Sequence, residues 1–172
     1  GFMDVAFAND GAPATVYLHN GTDSPFADVT PIALGAEDGL GRALNLVDLN
    51  LDGNLDLVVA YKEQSTRVYY HTGTATPFSE ETGIDVSSES FNVLTMASAD
   101  ITGNGYPDVV LGTDGFNVMI VNFGPPEFIV SPSSLLITEA SAETNGLALE
   151  DVDRDGDMDV IAFNDTSPSH LI

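Results

Sequence analysis

The sequence predicts an all-β fold, a partial β-propeller of four-stranded antiparallel blades with a repeat period of 51–52 residues. The first observation is a nine-residue acidic segment at 48–56, which occurs again in varied form at 100–108 and 151–159. A truncated copy ends at Asp4, so the final aspartates of the four copies are separated by 52, 52 and 51 residues. A fixed period of this size is typical of repeat proteins, in which each unit buries its core against its neighbours.

The second observation is that each acidic segment is followed by short apolar runs rich in β-branched and aromatic residues. Such runs are too short for helices and predict buried strands. The first run of each period lies at 4–8, 56–61, 108–112 and 159–163. The second run lies at 15–19, 67–71 and 117–121.

The remaining strands of a period are predicted from weaker signals. A phenylalanine after a glycine-containing turn opens an edge-like third strand, at Phe26, Phe78 and Phe128. A closing run leads into the next acidic segment, at 42–47, 92–97 and 146–150. Four short strands in about 50 residues is the size of one propeller blade. A β-sandwich with chance loop similarity would not produce the constant spacing.

These elements predict one repeat domain over residues 1–172. Its parts are a partial blade with the first strand of the next (1–47), two units of loop and blade (48–99 and 100–150), and a loop with a truncated blade (151–172). Because the chain starts at the sixth loop position and stops within a predicted strand, we expect a fragment of a longer protein or a chain that completes its ring by association.

The charge of the chain restricts its partners. Asp and Glu number 27 against 4 Lys and Arg, which gives a formal net charge of −23. Nucleic acids and anionic membranes bind proteins through Lys and Arg, so the sequence predicts neither partner. No apolar stretch approaches the roughly 20 residues of a membrane span, so we expect no membrane insertion. The absence of cysteine excludes disulfides and thiolate chemistry.

The acidic segments have the residue types of calcium-binding loops. Side-chain oxygens recur at loop positions 1, 3, 5 and 9, position 6 is glycine, and position 7 offers its backbone carbonyl. Hard oxygen donors without His or Cys favour Ca²⁺ over zinc or copper. The predicted ligands are Asp48, Asn50, Asp52, Asn54 and Asp56 in the first loop, Asp100, Thr102, Asn104, Tyr106 and Asp108 in the middle loop, and Asp151, Asp153, Asp155, Asp157 and Asp159 in the third loop.

Two other interpretations of the loops are weaker. An EF-hand needs a Glu at position 12 and flanking helices, whereas position 12 here is Val59, Leu111 or Ala162 and the flanks are predicted strands. A simple hairpin turn does not need four mutually repelling carboxylates. Counts of four, three and two carboxylates predict that calcium affinity falls from the third loop to the first and then the middle loop. The middle loop either binds Ca²⁺ poorly or holds water, and Asn104→Asp is expected to strengthen its binding.

The loop motif, the strand that follows it and the Val-Tyr-x-His-Asn-Gly-Thr segment at 16–22 resemble the FG-GAP or VCBS repeat family. This family includes the calcium-loop repeats of integrin α-subunit propellers and of many secreted bacterial proteins. The resemblance covers essentially the whole chain. It implies a propeller, commonly of seven blades, in which each loop joins the first two strands of a blade. It also implies bound Ca²⁺ and an extracellular or cell-surface location.

Two classes of function follow from these observations. The first is a non-enzymatic interaction or carbohydrate-binding scaffold with structural Ca²⁺ and an unknown protein or carbohydrate ligand. The second, implied by the resemblance, is the propeller part of a secreted polysaccharide lyase or sugar dehydratase. His19 and His71 occupy equivalent strand ends, which is typical of packing or hydrogen-bonding residues, and no catalytic motif accompanies them. Open sheet edges at the two ends predict self-association.

Overall fold

The computed structural model describes residues 2–35, 39–79, 83–87, 90–124 and 143–165, and the backbone of 170–171. Within these ranges the chain forms thirteen β-strands and no helix, which confirms the predicted all-β class. The strands are β1 (Val5–Phe7), β2 (Ala14–Tyr17), β3 (Ile32–Leu34), β4 (Gly41–Val47), β5 (Asp56–Gln64), β6 (Arg67–Tyr69), β7 (Gly83–Asp85), β8 (Phe91–Ala99), β9 (Asp108–Thr113), β10 (Val118–Ile120), β11 (Thr144–Glu150), β12 (Asp159–Asn164) and β13 (His170–Leu171).

The strands pair in chain order and antiparallel, as blades of a propeller do. The first blade contains β1, β2 and β3, and the second contains β4, β5, β6 and β7. The third contains β8, β9 and β10, and the fourth contains β11, β12 and β13. A short pairing of β5 with β8, at Lys62 with Asn92, joins the second and third blades. The fold is therefore a partial β-propeller.

Each acidic loop connects the first two strands of a blade. The residue before the loop pairs with the aspartate that ends it: Val47 with Asp56, Ala99 with Asp108, and Glu150 with Asp159. The loop is thus the closed end of a hairpin, and its ninth residue is also the first residue of a strand. This is the placement that the family resemblance implied.

The edge strand that follows the phenylalanine in each repeat begins later than the sequence predicted. Phe26 and Phe78 precede the observed strands β3 and β7, which start at Ile32 and Gly83. Phe78 is buried and meets the ring of His71 edge-on, with centroids 5.5 Å apart. These phenylalanines thus anchor the turn that precedes the edge strand, and the short edge strand starts only after the turn. Phe128 lies outside the described residues.

The core lies between consecutive blades. On β5, Val58 and Ala60 pack toward the third blade and contact the cluster that contains Val109 and Leu111. The alternate side chains Leu57 and Val59 pack toward the first blade. A further cluster joins Val110 of the third blade to Val160 of the fourth. Because both faces of β5 are covered, its segment from Leu57 to Tyr61 is apolar without interruption, as the sequence showed.

Candidate metal centres

All three acidic loops have the same backbone shape. The glycine at position 6 has a positive φ in each loop, +89° at Gly53, +93° at Gly105 and +101° at Gly156. Position 4 is also left-handed, although Leu51 and Arg154 occupy it in the first and third loops and Gly103 in the middle one. Left-handed geometry is costly for residues other than glycine. The recurrence of this geometry despite different residues shows that the loop shape belongs to the repeat.

The aspartate at position 1 organises the turn. In the third loop Asp151 Oδ1 accepts the N–H of Asp155 at 3.1 Å and Oδ2 accepts that of Gly156 at 3.0 Å. Asp48 and Asp100 accept the corresponding two N–H groups in their own loops, at 2.8–3.1 Å. These bonds hold positions 5 and 6 over the carboxylate. They thereby fix the curl of the loop.

The aspartate at position 9 fastens the loop to the blade. Asp56 is fully buried, and its Oδ2 accepts the Leu49 N–H at 3.0 Å while Oδ1 accepts the His71 N–H at 2.8 Å. Asp108, also fully buried, has the same arrangement with Ile101 and Asn122 at 3.0 and 2.8 Å. This carboxylate connects the start of the loop, the start of the second strand and the end of the third strand.

Two carboxylates of the first loop have pKa values shifted in opposite directions. Burial raises the pKa of Asp56, and the hydrogen bonds from the His71 and Leu49 N–H groups oppose that rise while the charges of Asp52 and Asp48 add to it. The exposed Asp52 has a lowered pKa, chiefly because the Asn54 N–H bonds to it. A cation near Asp56 would favour its ionised form and offset the cost of burial.

The third loop brings three carboxylates together. One oxygen each of Asp151, Asp153 and Asp159 lies within 4.8 Å of the other two. Calcium ligands lie 2.3–2.6 Å from the ion, so two ligands of one ion are at most about 5 Å apart. The residues therefore fit Ca²⁺. Within the described part of the chain this is the one such group of three acidic side chains.

The other predicted side chains of the third loop lie apart from this group. Asp155 is absent from the group, and its Oδ1 accepts the Asp157 N–H at 3.0 Å. The side chain of Asp157 is exposed, and the sequence assigned only its backbone carbonyl to the ion.

In the first loop the ligand side chains bond to one another. Asn50 donates to Asp52 Oδ2 at 3.1 Å, and Asn54 donates to Asp52 Oδ1 at 2.9 Å. Within the described part of the chain, the acidic side chains Asp48, Asp52 and Asp56 do not form a group as close as that of the third loop.

The middle loop uses its neutral residues for contacts to the protein. Asn104 donates to the backbone oxygen of Asn122 at 2.8 Å and accepts the Tyr106 N–H at 2.9 Å. The backbone N–H of Thr102 bonds to Asp108. The ring of Tyr106 covers Gly124, where an added Cβ would lie 2.6 Å from a ring carbon. Asp100 and Asp108 keep the same hydrogen bonds as their counterparts.

A turn after the third strand was only partly recognised from the sequence. His71 Nδ1 accepts the Gly73 N–H at 2.9 Å, and His19 makes the same bond to Gly21. Asn122 is their counterpart and accepts the Gly124 N–H through Oδ1 at 2.8 Å. The prediction that the histidines are packing or hydrogen-bonding residues is confirmed, but Asn122 was missed. Its signal was a glycine two residues later, as after His19 and His71, at a position 14 rather than 15 residues after the last loop aspartate.

Repeated antiparallel blades with an acidic loop in the first hairpin define a β-propeller-like repeat protein. The chain matches the FG-GAP-like repeat family three times, over residues 1–59, 48–111 and 100–162. It therefore belongs to that family, as its motifs indicated. No curated protein matches the chain significantly.

Proposed function

We propose that this chain is a calcium-stabilised propeller scaffold that acts outside the cell and binds a protein or carbohydrate partner. The observation that carries the proposal is the convergence of Asp151, Asp153 and Asp159 in a loop that recurs once per repeat. Acidic groups at this separation repel one another, and a divalent cation removes that repulsion.

Calcium has a structural role in this proposal. In the third loop the ion is held by Asp151 and Asp153 from the start of the loop and by Asp159 from the first residue of β12. It therefore links the two ends of the hairpin. The first and middle loops share the backbone shape and the same pattern of aspartate bonds at positions 1 and 9, which supports weaker sites there.

The family and the charge support an extracellular binding role. FG-GAP-like repeats resemble those of cell-surface and secreted propellers, and a net charge of −23 disfavours nucleic acid. Within the described part of the chain, no helix has the length and apolar character that crossing a membrane requires. The partner is proposed only as a class, because a propeller surface does not by itself specify a ligand.

The alternative is that the chain is the propeller part of a secreted polysaccharide lyase or sugar dehydratase. The histidines most suggestive of catalysis, His19 and His71, use Nδ1 to accept a backbone N–H within their own turns. That contact favours a structural role for them and supports the scaffold over the enzyme.

The proposal is tested by thermal unfolding in Ca²⁺ and in chelator. A ligand at a hundredfold excess over its Kd stabilises by about 2.7 kcal/mol per site, so Ca²⁺ should raise the Tm by several degrees. Asp153→Asn should reduce this rise. Asp157→Asn is the matched control, because it removes the same charge from the same loop but keeps the backbone carbonyl. An identical Tm in Ca²⁺ and chelator would refute structural calcium.

A further inference from the structure

Asn-Gly pairs occur at three places in this chain, and the structure gives them different surroundings. The pairs begin at Asn20, Asn104 and Asn145, and all three asparagines are exposed. Asparagine before glycine undergoes spontaneous deamidation readily, because glycine has no side chain to hinder attack of its backbone nitrogen on the asparagine amide. We propose that Asn145 is the deamidation site of the folded protein and that the fold protects the other two asparagines.

Asn145 is the extra residue of a β-bulge in β11. Thr144 pairs with Asn164 and Gly146 pairs with Phe163, so Asn145 lies between two ladder pairs without a partner of its own. A bulge of this kind leaves the extra residue unpaired and disrupts the ladder locally. In the described part of the chain, the Asn145 side chain makes no hydrogen bond. Its amide group can therefore turn toward the Gly146 nitrogen without losing a contact.

The bulge recurs in the inner strands of the second and third blades. Arg42 of β4 and Leu94 of β8 are the extra residues at the equivalent positions. The irregular backbone is therefore a property of the repeat. Among these three strands, the sequence places an Asn-Gly pair at the bulge only in β11.

The side chains of the other two asparagines are held by hydrogen bonds. Asn104 donates to the backbone oxygen of Asn122 at 2.8 Å, and its Oδ1 accepts the Tyr106 N–H at 2.9 Å. Asn20 donates to two backbone carbonyls of its own turn at 3.1 Å and accepts a backbone N–H at 3.0 Å. At both places the amide must break these bonds before it can react, which slows the reaction.

The reaction needs only residues of this pair and water. The backbone nitrogen of Gly146 attacks Cγ of Asn145 and loses its proton, and the new N–Cγ bond closes a succinimide ring. The Cγ–Nδ2 bond breaks, and the amide nitrogen leaves as ammonia with that proton. Water then opens the ring at either carbonyl, which gives aspartate or isoaspartate at position 145.

The isoaspartate product would alter the path of β11. Its main chain runs through the former side chain and so gains a carbon atom between the two ladder pairs that flank Asn145. Beside this point, the buried Thr144 bonds to Asn164 through their side chains at 2.7 Å and lies against Gly112 of β9. We therefore expect the modification to loosen the contact between the third and fourth blades.

The rate at each Asn-Gly pair is measured by peptide mapping and mass spectrometry while the folded chain is incubated at neutral pH. We expect Asn145 to convert at least about tenfold faster than Asn20 or Asn104, because the bonded amides must first give up their hydrogen bonds. The same chain in guanidinium chloride is the matched control. Unfolding removes the hydrogen bonds and should bring the three rates close together.

Two variants separate the chemistry from its consequence. Asn145→Gln should abolish the conversion at this position, because the longer side chain closes the corresponding ring much more slowly. Asn145→Asp has the charge of the product without the additional main-chain atom. Aged protein that contains isoaspartate should therefore have a lower Tm than Asn145→Asp.

The unaltered chain decides the proposal. Conversion of Asn20 or Asn104 as fast as that of Asn145 in the folded chain would overturn it, as would an Asn145 that keeps its amide. If Asn145 also converts fastest in guanidinium chloride, the protection assigned to the fold is wrong. If aged protein is as stable as Asn145→Asp, the predicted loosening of β11 is wrong.

Discussion

The aspartates at loop position 9 show how one residue serves both the fold and the site. Asp108 is fully buried and accepts N–H groups from Ile101, Thr102 and Asn122. A buried carboxylate with this number of donors is a fixed part of the backbone hydrogen-bond network. Its role in the fold is present without any cation.

Asp108→Ala should therefore destabilise the chain even in chelator. It leaves three N–H groups without their acceptor, and one buried unsatisfied group costs about 1–3 kcal/mol. We expect the free energy of unfolding to fall by at least about 2 kcal/mol in denaturant titrations. The exposed Asp157→Ala is the control and should change stability little. A loss seen only in the presence of Ca²⁺ would contradict the structural role.

Asn104→Asp has two opposing effects. The sequence predicts stronger calcium binding from the added charge. The structure shows that the Asn104 amide donates to the backbone oxygen of Asn122, a bond that a carboxylate cannot make. We expect a lower Tm in chelator together with a larger calcium-induced rise. Unchanged stability in chelator would show that the Asn104 bond contributes nothing.

At the scale of elements, β9 is held close to its neighbours by a glycine. A Cβ on Gly112 would lie 2.5 Å from Thr95 Cγ2 on β8 and 3.0 Å from Thr144 Cγ2 on β11. The position is thus a point of close approach between the third and fourth blades. Any side chain there would push β11 away from the blade that it covers.

Gly112→Ala should lower stability by about 1–3 kcal/mol, as overpacking typically does. Thr95→Ser removes the nearest methyl group and should restore part of the loss in the double variant. Gly115→Ala is the control, because an added Cβ there meets nothing nearer than 3.7 Å. Chemical denaturation measures all four proteins. Equal stability of Gly112→Ala and Gly115→Ala would contradict the close packing.

The success of the sequence prediction differed between elements. The loops and the strands β5, β9 and β12 were recognised because their residue types recur at a fixed period. The loops repeat oxygen-bearing side chains, and the strands repeat apolar side chains that are buried. The predicted start of the short edge strands β3 and β7 was too early, because the apolar residues Phe26 and Phe78 belong to the turn that precedes each strand. The sequence did not predict which aspartates of the third loop lie close together. Asp153 lies near Asp151 and Asp159, and Asp155 does not, because this depends on side-chain directions that residue spacing does not determine.

At the scale of the whole molecule, the apolar faces at the two ends of the arc are exposed. Phe7 stands three residues after Asp4, as Val59 does after Asp56, but Phe7 is 49% exposed whereas Val59 is completely buried. Phe163 at the other end is 51% exposed, whereas its counterpart Ala60 is completely buried. The inner blades cover each of these positions with a neighbouring blade.

We therefore expect this 172-residue chain to self-associate through these faces. Calcium should favour association, because bound cations reduce the net charge of −23. Light scattering across a concentration series in Ca²⁺ and in chelator measures the effect. Phe7→Ser should weaken association, and the exposed loop variant Leu51→Ser is the control. A monomer at all concentrations in Ca²⁺ would contradict this prediction.

The hydrogen bonds of Asp100 and Asp108, which recur in the other loops, show that different positions of the acidic loop have different roles. Positions 1 and 9 set the path of the chain, and the middle loop has both aspartates although Thr102 and Asn104 stand where the third loop has Asp153 and Asp155. Positions 3 and 5 can then vary without changing that path. Under the proposed calcium function, a protein built in this way could gain or lose ion sites blade by blade over evolution, and an engineer could set the number of sites by editing two residues per repeat.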